Sequence, residues 1–264
     1  MAAIKAERIV TALGGPVSVT LLTLNVVVFV CIHLCVWCGV DDRTAATALS
    51  LPSDFAGLVS HPWTLLTYMF TQWDGLHLLV NMLWLTSFAP IFYRIGLPTL
   101  TWRVYLAGGF GGAAAFIITA MYTSVPEMLA GASAAVMGIV AAAAVYRPHA
   151  RLSLPGFGEV PLVVIAIIVG ALYIIASLGT PGTCAAHLGG ALGGGLYAFA
   201  EKRIRRYKAR RRIQHAAHNA QRPISQDQMH AELDQILTKV GRSGYGSLND
   251  AERRRLFEIS QRLK

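Results

Sequence analysis

Residues 184–212 read CAAHLGGALGGGLYAFAEKRIRRYKARRR. The first 17, through Ala200, carry no Asp, Glu, Lys or Arg and hold five glycines; the next 12 carry eight Lys or Arg. An apolar run of that length ending in a basic cluster is the pattern of a membrane helix that stops on the cytoplasmic side. Five more runs share its apolarity, near 17–38, 77–93, 100–122, 129–146 and 161–178. The pattern predicts an all-α membrane protein with six transmembrane helices.

Composition agrees. Of 264 residues, 54% are hydrophobic and 14% charged, where an ordinary soluble domain has about 25% charged residues. Mean hydropathy is +0.49. A fully soluble protein, a secreted one, a disordered chain and a collagen-like fibre are excluded. Residues 1–200 hold seven basic and seven acidic side chains, whereas 201–264 hold sixteen and seven. All of the +9 therefore sits in the last quarter. The expected division is a membrane domain over 1–204 and a basic linker with a small cytoplasmic helical domain over 205–264. The first apolar run exceeds a signal-peptide core of roughly 7–15 residues and precedes further runs, so it reads as a permanent helix.

Loop charges set the orientation. Lys5, Arg8, Arg94, Arg103, Arg147, Arg151 and the run from Lys202 to Arg212 border one side. Asp41, Asp42, Asp54, Asp74 and Glu127 border the other, with Arg43 as the lone basic residue. The positive-inside rule places both termini in the cytoplasm, so spans two, four and six all run inward. The outer segment 39–76 is too long to be structureless and predicts short interfacial helices. In the tail, helices are expected at 227–240 and 250–263, with Asn249 and Glu252 as a capping pair. The basic run suits anionic lipid headgroups, and nucleic acid is not an expected partner. Cys31, Cys35 and Cys38 lie at i, i+4 and i+7 around His33, with Cys184 apart. One helix seldom supplies a whole soft-metal site. They read as small apolar residues, and neither metal nor cofactor is expected.

Polar groups inside a span are expensive. Asn81 precedes Arg94 by 13 residues, Ser133 precedes Arg147 by 14, and His187 precedes Glu201 by 14. At about 1.5 Å per residue all three lie ~20 Å above the cytoplasmic edge of a core ~30 Å thick. A histidine can take a serine proton and generate a nucleophile. Asn81, His77 one turn outward, and the backbone N–H groups near Ser133 are candidate donors to an oxyanion. No Asp or Glu lies within the runs, so this is a Ser133–His187 dyad, if catalytic. Gly131 permits close backbone approach before Ser133. Gly190 and Gly194 form a small-xxx-small face, with Gly138 on span four to receive it. On these residues alone catalysis is favoured, with a transporter or channel built on the same cluster as the alternative.

At these positions the sequence resembles the rhomboid family of intramembrane serine proteases. The resemblance is carried by His77-x-x-x-Asn81, Gly131-x-Ser133 and Ala186-His187-x-x-Gly190-x-x-x-Gly194, in that order, within roughly residues 15–203. It implies a six-helix rhomboid-like bundle followed by a cytoplasmic helical hairpin. It also implies Ser133 as nucleophile, His187 as general base then acid, and His77, Asn81 and the Ser133 N–H as the oxyanion site. The implied substrates are single-pass membrane proteins, cut near the outer end of their transmembrane helix in a bacterial inner membrane. Span five and residues 179–183 are the implied gate and lid. The sequence departs from the family at Ala134 (often glycine), Met137 (often aromatic), Trp63-Thr64 (often Trp-Arg) and Gln72 (often histidine). A catalytically silent, client-binding rhomboid-like protein is the second reading. The tail is similar to a small domain of unknown role that follows the core in some bacterial members.

Overall fold

The computed structural model describes residues 2–123, 127–154, 158–221 and 226–262. Helix α1 (Ala2–Ala12) leads into α2 (Gly15–Trp37). The segment 39–76 then folds, as its length requires, into short pieces: α3 (Asp42–Leu49), strand β1 (Leu51–Pro52), α4 (Phe55–Ser60) and α5 (Thr64–Thr67). Three of its aspartates start helices. Asp41 accepts from Thr44 N–H at 3.1 Å, Asp54 from Gly57 N–H at 2.6 Å, and Asp74 from His77 N–H at 2.7 Å, each satisfying an orphan donor of a first turn. The last of these opens α6 (Gly75–Arg94), which is followed by α7 (Pro98–Ala120), strand β2 (Met128–Leu129) and α8 (Ser133–Tyr146). A hairpin of β3 (Arg151–Leu154) and β4 (Gly158–Pro161) leads to α9 (Leu162–Ala176) and α10 (Pro181–Gln221).

By length and apolarity, α2, α6 and α7 can each cross a membrane, and α8 and α9 are shorter apolar helices. The expected run 129–146 is corrected at its start. Met128 and Leu129 pair antiparallel with Pro52 and Leu51, so the chain is extended there and turns helical only at Ser133. The β3–β4 hairpin, paired from Arg151↔Pro161 to Leu154↔Gly158, and helix α1 were not foreseen either. The expected lid 179–183 is also shortened, because α10 begins at Pro181.

Two compact units divide the chain, Met1–Arg205 and Arg206–Lys264. In the first, α8 is the central helix. It packs on α6, α7 and α9, and every residue from Ser133 to Val140 is buried. At 14 residues it is ~21 Å long. Its small side chains explain the position: Ala134, Ala135 and Gly138 leave room for neighbouring backbones, and Lys202 closes its far end by donating to Val145 O at 2.6 Å, a cation at the negative end of a helix. The other helices turn aliphatic side chains outward, among them Val27, Leu79, Leu83, Ile167, Leu172 and Leu192. So much exposed aliphatic surface suits lipid as solvent.

The second unit contains α11 (Gln226–Ser243), a 3-10 turn (Tyr245–Ser247) and α12 (Asp250–Arg262); residue 263 of the expected second helix lies outside the described residues. The capping box forms: Asn249 Oδ1 accepts from Glu252 N–H and Glu252 Oε2 from Asn249 N–H, both at 2.8 Å. Lys239 donates to Glu252, and Arg255 grips Glu232 with two bonds of 2.9 and 3.0 Å. These bonds hold both carboxyls below their usual range. A carboxyl depressed in the folded state stabilises above its unfolded pKa and loses that contribution as pH falls through the folded one, so acid loosens this hairpin. Asn249→Ala is expected to lower the protection of α12 amides by about 1 kcal/mol, read by hydrogen exchange on the full chain. Unchanged protection would remove the cap from the account.

Candidate active site

Ser133 is the first residue of α8, and its N-cap, Ala132, makes no side-chain capping bond. The Ser133 N–H therefore has no intrahelical acceptor, and the positive end of the helix dipole favours an anion there. The approach to this helix depends on Gly131. Its φ of +122° is one that L side chains rarely adopt, and a Cβ would sit 2.9 Å from His77 Cε1. Its N–H donates to Tyr68 O at 2.9 Å. His77 is thus brought against the turn that delivers the serine. Gly131→Ala should cost roughly 1–3 kcal/mol through backbone strain and displace the His77 ring. A thermal midpoint equal to that of the parent would contradict this reading.

Ser133 and His187 meet across helices. His187 Nε2 lies 2.8 Å from Ser133 Oγ, and the two residues are 4% and 3% exposed. The close approach has its cause in glycine. A Cβ on Gly190 would overlap the Ala134 backbone, and one on Gly194 would overlap the Gly138 backbone, both well under 3.0 Å. The α8 and α10 backbones are therefore in direct contact below the dyad.

The other nitrogen of the ring, His187 Nδ1, lies 3.4 Å from Ser177 Oγ. Ser177 directs its own hydroxyl at the Tyr173 and Ile174 carbonyls, at 2.9 and 3.0 Å. Its oxygen is left as an acceptor, which selects the Nδ1–H tautomer and keeps the Nε2 lone pair toward Ser133. The edge of Tyr173 packs on the His187 ring, centroids 5.1 Å apart. Tyr173 also donates to Asn81 Oδ1 at 2.6 Å. Asn81 in turn donates through Nδ2 to Gln72 Oε1 at 3.0 Å, so one of its two amide protons is committed and one remains.

The sequence-derived residues therefore fall into one neighbourhood. Ser133 meets His187 directly, His77 meets Gly131, and Asn81 reaches the dyad through Tyr173. Neither Tyr173 nor Ser177 stood out in the sequence. Cys31 and Cys35 on α2 and Cys38 at its C-cap are exposed, and among the described residues no three His, Cys, Asp or Glu side chains gather as metal ligands.

A family model for the rhomboid domain matches residues 59–203, more than half of the chain. This chain belongs to the rhomboid family. It is accordingly an integral membrane protein with a helical rhomboid bundle. A second model, for a family of unknown function, matches residues 220–262. No curated protein matches the chain.

The departures in this rhomboid have visible consequences. Met137 does not have to hold the histidine, because Tyr173 supplies an aromatic edge from α9; the methionine instead lies against α9, its Cε 3.5 Å from where a Gly170 Cβ would be. Trp63 donates to Ala48 O at 2.7 Å, and Thr64 to His61 O at 2.6 Å, so both serve the fold of segment 39–76. Gln72 is buried between Asn25 and Asn81.

Proposed function

We propose that this rhomboid is an intramembrane serine endopeptidase working through a Ser133–His187 dyad on single-pass membrane proteins. The observation that carries the reading is the 2.8 Å approach of His187 Nε2 to Ser133 Oγ. Both groups are buried, and the opposite ring nitrogen faces a neutral acceptor. Its membrane domain, 1–204, has six transmembrane helices, with both termini cytoplasmic in a bacterial inner membrane. Residues 205–264 form the cytoplasmic domain.

The chemistry follows from the atoms present. His187 Nε2 accepts the Ser133 proton as Oγ attacks the scissile carbonyl carbon. Negative charge develops on the carbonyl oxygen, where the Ser133 N–H, the remaining Asn81 amide proton and a His77 ring N–H stabilise it. Ser177 accepts from Nδ1–H and holds the ring while Nε2 carries the transferred proton. The tetrahedral intermediate collapses, the C–N bond breaks, and the imidazolium protonates the leaving amine. Water then attacks the Ser133 ester, with His187 again as base, and releases the second product. The dyad lies about 10 Å beneath the outer surface by helix length, so substrates are cut near the outer end of their helix.

Labelling by a fluorophosphonate in liposomes tests this. Ser133 is expected to be modified in the parent, and no modification in Ser133→Ala. A parent that resists the reagent while binding membrane proteins would favour a silent, client-binding rhomboid. Solute flux without labelling would favour a transporter.

A further inference from the structure

A buried chain of side-chain hydrogen bonds runs from α2 to the dyad, and its direction is fixed at one end. Asn25 Nδ2 donates to Leu21 O at 2.9 Å. A backbone carbonyl only accepts, so the Asn25 amide is oriented and its Oδ1 must face the other way. There it accepts from Gln72 Nε2 at 3.0 Å, which orients Gln72. Gln72 Oε1 consequently faces Asn81 and accepts from its Nδ2. That leaves Asn81 Oδ1 toward Tyr173, which donates to it. Asn25 and Asn81 have no exposed surface and Gln72 is 1% exposed, so water does not compete along the chain.

We infer that Tyr173 and Gln72 are positioning residues that set which end of the Asn81 amide faces the reaction centre. The inference rests on the protease reading, since it concerns an oxyanion donor. An isolated asparagine amide can turn over and present either its oxygen or its NH2 group. Here the two neighbours hold it from opposite sides, an acceptor on its nitrogen and a donor on its oxygen. The free N–H is thereby presented without reorganisation when charge develops. Tyr173 has a second contact, its ring edge on His187, so one residue of α9 steadies both a donor and the base.

The two contacts separate by substitution. Tyr173→Phe removes the donor and keeps the ring; Tyr173→Leu removes both. The readout is the second-order rate of Ser133 labelling by a fluorophosphonate in liposomes, where Oγ bonds to phosphorus and fluoride leaves. Tyr173→Phe should slow it by roughly tenfold, and Asn81→Ala by about 10²-fold or more. The double variant should be no slower than Asn81→Ala, because the hydroxyl acts only through Asn81; such non-additivity is the signature of coupling. Gln72→Leu should behave in the same way from the other side, and gives an independent test if either tyrosine variant folds poorly. Tyr173→Leu should remain slower than Tyr173→Phe even with Ala at position 81. Thermal midpoints accompany each variant. Additive losses in the Tyr173→Phe and Asn81→Ala cycle, or a parental rate for Tyr173→Phe, overturn the inference while the protease reading stands. A parent showing no Ser133-dependent labelling overturns both.

Discussion

Ser133→Ala is expected to abolish cleavage of a membrane-embedded reporter while the protein still folds. On the protease reading the Oγ bonded to His187 is the nucleophile, and the nearby Ser177 does not take its place: it faces Nδ1 and spends its proton on carbonyls. Removing either member of such a pair in a serine hydrolase costs on the order of 10⁶-fold in kcat. His187→Ala should cost about as much, and the double variant no more, since the two act as a unit. Folding should tolerate the change. One buried hydrogen bond is lost and the Nε2 lone pair is left without a partner, worth about 1–3 kcal/mol. Cleavage at the parental rate by Ser133→Ala would sink the proposed function.

Gly190→Ala is expected to have a large effect, from a single methyl group. The new Cβ would overlap the Ala134 carbonyl carbon, oxygen and Cα, none of which is a flexible side-chain tip that can swing aside. Relief requires α10 and α8 to part. Overpacking of this kind costs about 1–3 kcal/mol or more, and a displacement of ~1 Å at the Ser133–His187 bond lowers the rate by roughly 10²-fold. Gly195→Ala supplies the control. Its Cβ would rest 3.5 Å from the Ala141 methyl, an ordinary contact. There the better helix propensity of alanine, up to ~1 kcal/mol, should leave stability equal or higher. Equal thermal midpoints and cleavage rates for the two variants would remove backbone contact as the reason for the glycines.

The sequence makes some of this architecture legible and hides the rest for physical reasons. Ser133, His187 and Asn81 can be found because a polar group inside an apolar run is costly, and because helical rise converts residue number into depth. Gly190 and Gly194 can be found because small residues four apart mark close helix contact. Asn25 carries the same signal, an amide within span one, and could have been singled out. Tyr173 and Ser177 could not. A tyrosine and a serine near the end of an apolar helix look like ordinary interfacial residues, and only the packing of α9 brings them to His187. The late start of α8 was equally hidden, since Met128 and Leu129 are as apolar as the helix they precede. Their extended state comes from pairing with Leu51 and Pro52, some 75 residues earlier in the chain.

The burial of α8 has a consequence for the lipid environment. The helix carrying Ser133 is enclosed by its neighbours, whereas α2 is mostly exposed and sets its aliphatic side chains outward. A change in acyl-chain length, and so in hydrophobic thickness, acts first on such outer helices by tilting them. It reaches Ser133 only as far as α6, α7, α9 and α10 transmit it, and the glycine contacts between α8 and α10 allow little relative sliding. On the protease reading the reaction centre is thereby insulated from bilayer mechanics, a rigid shaft within a compliant casing.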